Sequence, residues 1–390
     1  MSNNAPLARR MADIEPFHVM ELLARARELE AAGRSIVHME IGEPDFPTPG
    51  PILRAGIKAL EKGELYYTPA MGLPVLRRAI AEFYRSRYGV EVPPSRILVT
   101  TGASGALMLA CAALVNPGDE VLLADPGYPC NRHFVRAMEG APRAVPVDAA
   151  SDYQLTPEQL ERHWSARTIA ALVATPSNPT GTLVSTERLS AMSEFARERG
   201  GTLIVDEIYH GLVYEGDYTT ALAFTDEAFV INSFSKYFNM TGWRLGWMVA
   251  PERYVRELDK LAQNLFLAAP TPAQYAALAA FEPETIAILE ERRAQFKARR
   301  DYLVPALRAL GFEIPVTPQG AFYIYAGCGK LTEDSFSFAR ELLEKAGVAI
   351  TPGIDFGANA PGRHVRFAYT NSIERLKEGV ARIAKFLNQK

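Results

Sequence analysis

Ser233, Ser235 and Lys236 sit just after an apolar run, Ala228-Phe229-Val230-Ile231, and Arg244 comes a short stretch later. A lysine amine can hold an aldehyde as a Schiff base and can carry a proton. Serine hydroxyls and a guanidinium hold a phosphate dianion by charge-assisted hydrogen bonds. The cluster therefore suits one small ligand that bears both groups. Other polar clusters recur along the chain. Thr101-Gly102-Ala103-Ser104-Gly105 precedes an apolar helical stretch, and free N–H groups at a helix start bind phosphate. Val205-Asp206-Glu207-Ile208-Tyr209 places a carboxylate and a phenol after an apolar run, and Glu207 points away from Asp206 if the segment is extended. Ser177-Asn178-Pro179-Thr180-Gly181 and Asp125-Pro126-Gly127-Tyr128-Pro129 are turns with a polar or aromatic side chain to offer. Singly, each has a plain structural explanation: a glycine turn, a strand-end cap, a packed tyrosine.

The elements that must position these groups are legible. Short apolar runs alternate with amphipathic stretches, the pattern of an α/β protein with a largely parallel sheet. Expected strands are Ile97–Thr100, Val121–Ala124, Ile169–Ala174, Leu203–Val205, Phe229–Asn232 and Trp247–Val249. Most of the polar clusters fall at their carboxyl ends, where ligands gather in such sheets. Thr156-Pro157-Glu158-Gln159 has the form of a capping box, Glu252–Asn264 comes after Pro251, and a long amphipathic run covers Glu284–Leu310. Beyond it lie strands Phe322–Tyr325, Val348–Thr351 and Val365–Ala368 with helices Ser335–Lys345 and Ile373–Leu387, a mixed α+β tail. A helix is expected at Val19–Ala32.

With an aldehyde and a phosphate to be held together, the ligand is pyridoxal 5′-phosphate, and the chain resembles the class I/II aminotransferases, the enzymes of fold type I that use it. The resemblance runs from Ile41 to Arg366 with the motifs in family order. It implies a large cofactor-binding domain over 48–284 with a mostly parallel central sheet flanked by helices. A smaller α+β domain is built from both chain ends, 1–47 and 285–390. It implies that Lys236 carries the cofactor, that Gly102, Ala103, Ser104, Ser233, Ser235 and Arg244 receive its phosphate, and that Asp206 pairs with the protonated ring nitrogen. A carboxylate there keeps the proton that makes the ring an electron sink. Tyr209 and Asn178 reach the ring hydroxyl, and Tyr128 stacks on the ring. Tyr67, in Y-x-x-x-x-G-x-x-x-L-R form with Gly72 and Leu76-Arg77, reaches a neighbour's phosphate across a homodimer with shared active sites. Arg366 grips the substrate α-carboxylate, assisted by Asn178 and by Gly42 of Ile41-Gly42-Glu43-Pro44-Asp45-Phe46. Gly320-Ala321-Phe322-Tyr323 looks like the family's G-x-F-Y strand and carries no expected catalytic role.

Donor choice is less marked. Some aspartate-specific members carry lysine where this chain has Ser104, and Leu265-Phe266-Leu267 aligns with a stretch that approaches the neighbouring site. Burying an unpaired second carboxylate is costly, so neutral or aromatic amino acids are expected, with a 2-oxo acid as acceptor. Phe17 and His18 are further pocket candidates. The rivals are a carbon–sulfur β-lyase on the same fold and a non-catalytic, aminotransferase-like ligand-binding protein. The latter in transcription regulators carries a DNA-binding domain, for which no room is expected before Ile41.

Whole-chain properties agree. A formal net charge of -3 over 390 residues gives no field for nucleic acid or anionic membrane. No apolar run is long enough to span a bilayer, and Arg9-Arg10 does not lead into the apolar core of a signal peptide. Scattered Cys111, Cys130 and Cys328 fit a reducing cytoplasm, and the six histidines form no ligand motif, so no metal is expected.

Overall fold

The computed structural model describes residues 7–389; residues 1–6 and 390, at the two ends of the expected small domain, lie outside the described residues. The main sheet has seven strands: β2 (Ile97–Thr100), β3 (Glu120–Asp125), β4 (Ala141–Pro146), β5 (Thr168–Ala174), β6 (Thr202–Asp206), β7 (Phe229–Ser233) and β8 (Gly246–Val249). They are ordered β2-β8-β7-β6-β5-β3-β4. Only β8 runs antiparallel to its neighbours. Alternate side chains feed two cores. In β6, Leu203 and Val205 join one and Ile204 the other, so this strand is covered on both faces and reads as unbroken apolar sequence.

The edge strand β4 is the one that the sequence hides. Ala-Pro-Arg-Ala-Val-Pro looks like a loop, and proline cannot donate to a ladder. As an edge strand, β4 pairs with β3 alone, so the missing donors can lie on its open side.

The remaining strands belong to the chain ends. β1 (Val37–His38) pairs in parallel with β10 (Val348–Ala349), while β11 (Thr351–Pro352), β12 (His364–Ala368) and β9 (Tyr323–Gly327) form an antiparallel sheet in the order β11-β12-β9. The single strand expected over Val348–Thr351 is therefore two, which change partners at Ile350 and so tie the start of the chain to its end. The helix expected over Ser335–Lys345 is α-helical only to Glu341. A wider turn, Leu342–Ala346, then leads to Gly347, whose φ of 66° ends the run. The first helix is His18–Ala31.

Two local features follow from side-chain hydrogen bonds. Thr156 and Gln159 cap the helix Pro157–His163 reciprocally, as their spacing predicts. The long helix Pro283–Ala309 carries buried Arg299, whose guanidinium meets Asp45 at 2.6 Å, and buried Arg300, which donates to the Pro318 carbonyl at 2.7 Å. Paired in this way, two buried cations anchor the Glu43–Phe46 segment and the approach to β9 on one rigid rod.

Candidate active site

The carboxyl ends of β3, β5, β6 and β7 open on a cavity of about 270 Å³. Lys236, Asp206, Tyr209, Tyr128, Asn178, Ala103, Ser104, Gly42 and Arg366 all line it. Residues separated by more than three hundred positions thus meet where strand topology places them.

Lys236 comes after a turn that its serines hold. The Ser235 N–H donates to the Ser233 hydroxyl (3.1 Å), and that hydroxyl lies 3.1 Å from the Leu245 carbonyl and 3.0 Å from the Ser235 hydroxyl. The Lys236 amine donates to the Gly42 carbonyl at 2.6 Å. Burial lowers it from 10.5 to about 8; Glu43 opposes the shift, and Arg366 and Arg244 add to it. At pH 7 about a tenth of such an amine is unprotonated, against roughly one part in three thousand at its ordinary value. A nucleophile is thereby available near neutrality.

Asp206 ends β6 and is 6% exposed. Burial pushes its carboxyl up to about 6, although the Ile208 N–H at 3.1 Å and the charge of Lys236 both favour the anion. A buried carboxylate with one amide donor is short of a cation. Glu207 faces elsewhere, as the alternation predicts: it accepts from the Ala221 N–H (2.8 Å) and the Thr220 hydroxyl (3.1 Å). Burial raises it to about 8.

At the other end, Gly102 opens the helix Gly102–Leu114 with φ +71°. A Cβ there would come within 2.9 Å of the Arg244 guanidinium, so only glycine lets the helix start and the cation stand this close. Arg244 is itself left-handed, φ 54°, and donates to the Thr241 carbonyl at 3.1 Å. Helix amides beside an exposed arginine suit a phosphate. The glycine cradle, the lowered amine and the cation-deficient carboxylate together fit pyridoxal phosphate.

Arg366 lies on β12 and is 4% exposed. It donates to Asn178 Oδ1 (2.9 Å), to the Glu40 carbonyl (2.5 Å) and to Thr351 Oγ1 (3.2 Å), while its Nε has no partner. Its guanidinium lies 4.4 Å from the Tyr323 ring centroid and 4.9 Å from that of Phe356. So framed, its planar guanidinium is held in one orientation, and that geometry suits a carboxylate.

Some expected residues fall elsewhere. Tyr67 is 83% exposed and belongs to an outer groove with Gln263, Asn264 and Leu267, not to this chain's own cavity. Leu265 and Leu267 are exposed. Phe17 lines the cavity, edge-on to Tyr128 with centroids 6.5 Å apart, whereas the His18 ring packs against Phe336 with centroids 5.9 Å apart and its backbone N–H donates to Asp355 at 2.9 Å. Tyr323 and Glu40 are among the residues that line the cavity without having been expected there. Tyr323 belongs to a strand with no expected catalytic role, yet its hydroxyl is 2.8 Å from that of Tyr209. Glu40 is fully buried and bonds His38 Nδ1 at 2.7 Å. Strand alternation after Gly320 could have pointed to Tyr323; nothing in the local pattern marks Glu40.

Fold and site define a class: a pyridoxal-phosphate enzyme of fold type I, in which Lys236 lies just beyond β7 of the main sheet and Arg366 on β12 of the smaller one. The family model for aminotransferase class I and II matches residues 34–383. The chain is 40% identical over 98% of its length to all of a (5-formylfuran-3-yl)methyl phosphate transaminase of Methanocaldococcus jannaschii. It is 37% identical over 96% of its length to 97% of a valine–pyruvate aminotransferase of Mycobacterium tuberculosis. The solved aspartate aminotransferase of Thermus thermophilus with maleate superposes with a TM-score of 0.92 at 35% identity, over 98% of this chain and 99% of that one. The chain belongs to the class I and II aminotransferases; it is a pyridoxal-phosphate-dependent transaminase. Among the described residues, no helix is long and apolar enough to cross a membrane.

Proposed function

We propose that the chain moves the amino group of a neutral or aromatic L-amino acid to a 2-oxo acid, in a homodimer whose sites each borrow Tyr67 from the other subunit. The observation that carries the donor preference is the charge of the cavity. Among the described residues lining it, the cations are Lys236 and Arg366, and both have tasks. The apolar part of the wall includes Phe17, Val19, Met20, Ile41, Leu107 and Ile208, and its polar part, with Ser104, Asn178 and Thr241 and the carboxyls of Glu40, Glu43 and Asp206, brings no further cation. A second substrate carboxylate has no cationic partner there among the described residues. The relatives are named for different substrates, so family membership leaves the donor open.

When bound, the cofactor supplies an aldehyde for amine exchange and a ring that takes up the electrons left by the departing α-proton. The protein's part is set by its geometry. Lys236 would hold the aldehyde and, once freed, carry the proton. Asp206 would keep the ring nitrogen protonated, and Tyr209 and Asn178 would bond the ring hydroxyl. Tyr128 would hold the ring plane. Gly102–Ser104, Ser233, Ser235 and Arg244 would take the phosphate, and Arg366, Asn178 and Gly42 the α-carboxylate. We take 48–284 as the cofactor domain and 1–47 with 285–390 as the substrate-carboxylate domain, working in the cytoplasm.

The test is a half-reaction panel with aspartate, glutamate, alanine and phenylalanine. Without a cationic partner a second carboxylate loses roughly 1.5–3 kcal/mol of charged hydrogen bonding, about ten- to a hundredfold in specificity. Phenylalanine or alanine should therefore have the higher specificity constant. If aspartate leads, the donor reading is wrong.

A further inference from the structure

Among the residues that wall the cavity, Tyr323 has no task in holding the cofactor or the substrate carboxylate. It is 1% exposed on β9, on the small-domain side of the cavity, and its hydroxyl meets that of Tyr209, just beyond β6, at 2.8 Å. A Cβ on Gly42 would lie 2.0 Å from the Tyr323 oxygen, so Gly42 leaves the space into which this phenol tip fits. The ring meanwhile lies against Arg366. The ionisable groups around it are Tyr209 and Tyr128 from the loops of the main sheet, Arg366 and Tyr369 from the other side, and Lys236 across the cavity.

A phenol has one proton to donate. Burial holds both Tyr209 and Tyr323 above their ordinary range, so both hydroxyls are protonated at neutral pH. If Tyr209 donates to the cofactor's ring oxygen, it cannot also donate to Tyr323. The 2.8 Å contact must then run the other way, from the Tyr323 O–H to the Tyr209 oxygen. We infer that Tyr323 is a positioning residue: its hydroxyl proton fixes the direction of the Tyr209 proton toward the cofactor's ring oxygen and strengthens that bond. A donor at its oxygen polarises Tyr209 and makes it the better donor. This inference rests on the pyridoxal-phosphate reading of the cavity.

The experiment is a pH titration of the visible cofactor absorption in the resting holoenzyme, read without substrate. Tyr323→Phe keeps the ring against Arg366 and fills the same space, so the fold is preserved while the proton is lost. A weaker bond to the ring oxygen favours the protonated Schiff base, so the midpoint should rise by about half a unit to one unit. Tyr209→Phe should raise it further. In the Tyr209→Phe background the second change, Tyr323→Phe, should add nothing, because its effect passes through Tyr209. An unchanged midpoint in Tyr323→Phe, or an equal shift with Tyr209 already replaced, overturns the proposal and leaves the cofactor site standing. A wild-type protein that binds no pyridoxal phosphate overturns both.

Discussion

Asp206 shows what a single residue contributes at this site. Its carboxyl is buried, raised to about 6 and held by one amide, an arrangement that costs stability until a cation arrives. Asp206→Ala should leave the cofactor bound through its phosphate and Lys236 but slow turnover. Losing a buried charge partner of this kind is expected to cost about 3–5 kcal/mol of transition-state stabilisation, on the order of two to four powers of ten in kcat. Near-normal kcat in Asp206→Ala would remove the aspartate from the ring nitrogen. At this scale the sequence was legible as an ordered set: Lys236, Asp206 and Asn178 each come at or just beyond the end of an apolar run, and the structure brings all three to one cavity. Tyr323 and Glu40 were not, because what makes them notable is contact across distant segments: Tyr323 with Tyr209 and Gly42, Glu40 through its carbonyl with Arg366.

Among the elements, β1 and the segment just beyond it show how a short strand can govern a site. Val37–His38 is only two residues long, yet the chain beyond it delivers the Glu40 carbonyl to Arg366 and the Gly42 carbonyl to Lys236. His38 fastens it, with Nδ1 2.7 Å from Glu40 and Nε2 3.2 Å from Glu30 on the first helix. The Glu40 bond outweighs partial burial and raises His38 from 6.5 to about 9. A raised histidine adds stability in full below its unfolded value and loses it as pH climbs through the folded one. His38 should therefore make denaturation midpoints fall as pH rises from about 6.5 to about 9, on top of the fall that Glu207, raised to about 8, contributes, and His38→Asn should make that slope shallower. A slope left unchanged by the substitution would show that His38 does not contribute to it. The sequence predicted regular elements well where pattern and caps agree, as at Thr156–His163. It failed at β4, where two prolines disguise an edge strand, and at Val348–Thr351, where one apolar run serves two sheets.

At the scale of the whole molecule, Tyr67 is the informative residue. A tyrosine 83% exposed that shares a groove with exposed Leu267 is poorly placed for a lone subunit and well placed for a shared site. Mixing Tyr67→Ala with Lys236→Ala subunits tests that. If Tyr67 acts across the interface, a mixed dimer gathers both lesions in one site and leaves the other intact. Activity should then rise on mixing above that of either parent. No gain after subunit exchange would confine Tyr67 to its own chain, and a monomer by sedimentation at working concentration would end the shared-site proposal.

The central claim is that Lys236 is the amine through which this chain exchanges and moves protons. It is tested most directly by adding an excess of phenylalanine to pyridoxal-phosphate-loaded protein without a 2-oxo acid. The cofactor absorption is then monitored in wild type and in Lys236→Ala. The account predicts that the wild-type spectrum converts fully to the aminated cofactor and that Lys236→Ala does so slower by several powers of ten, or not at all. Conversion of Lys236→Ala at the wild-type rate would contradict it.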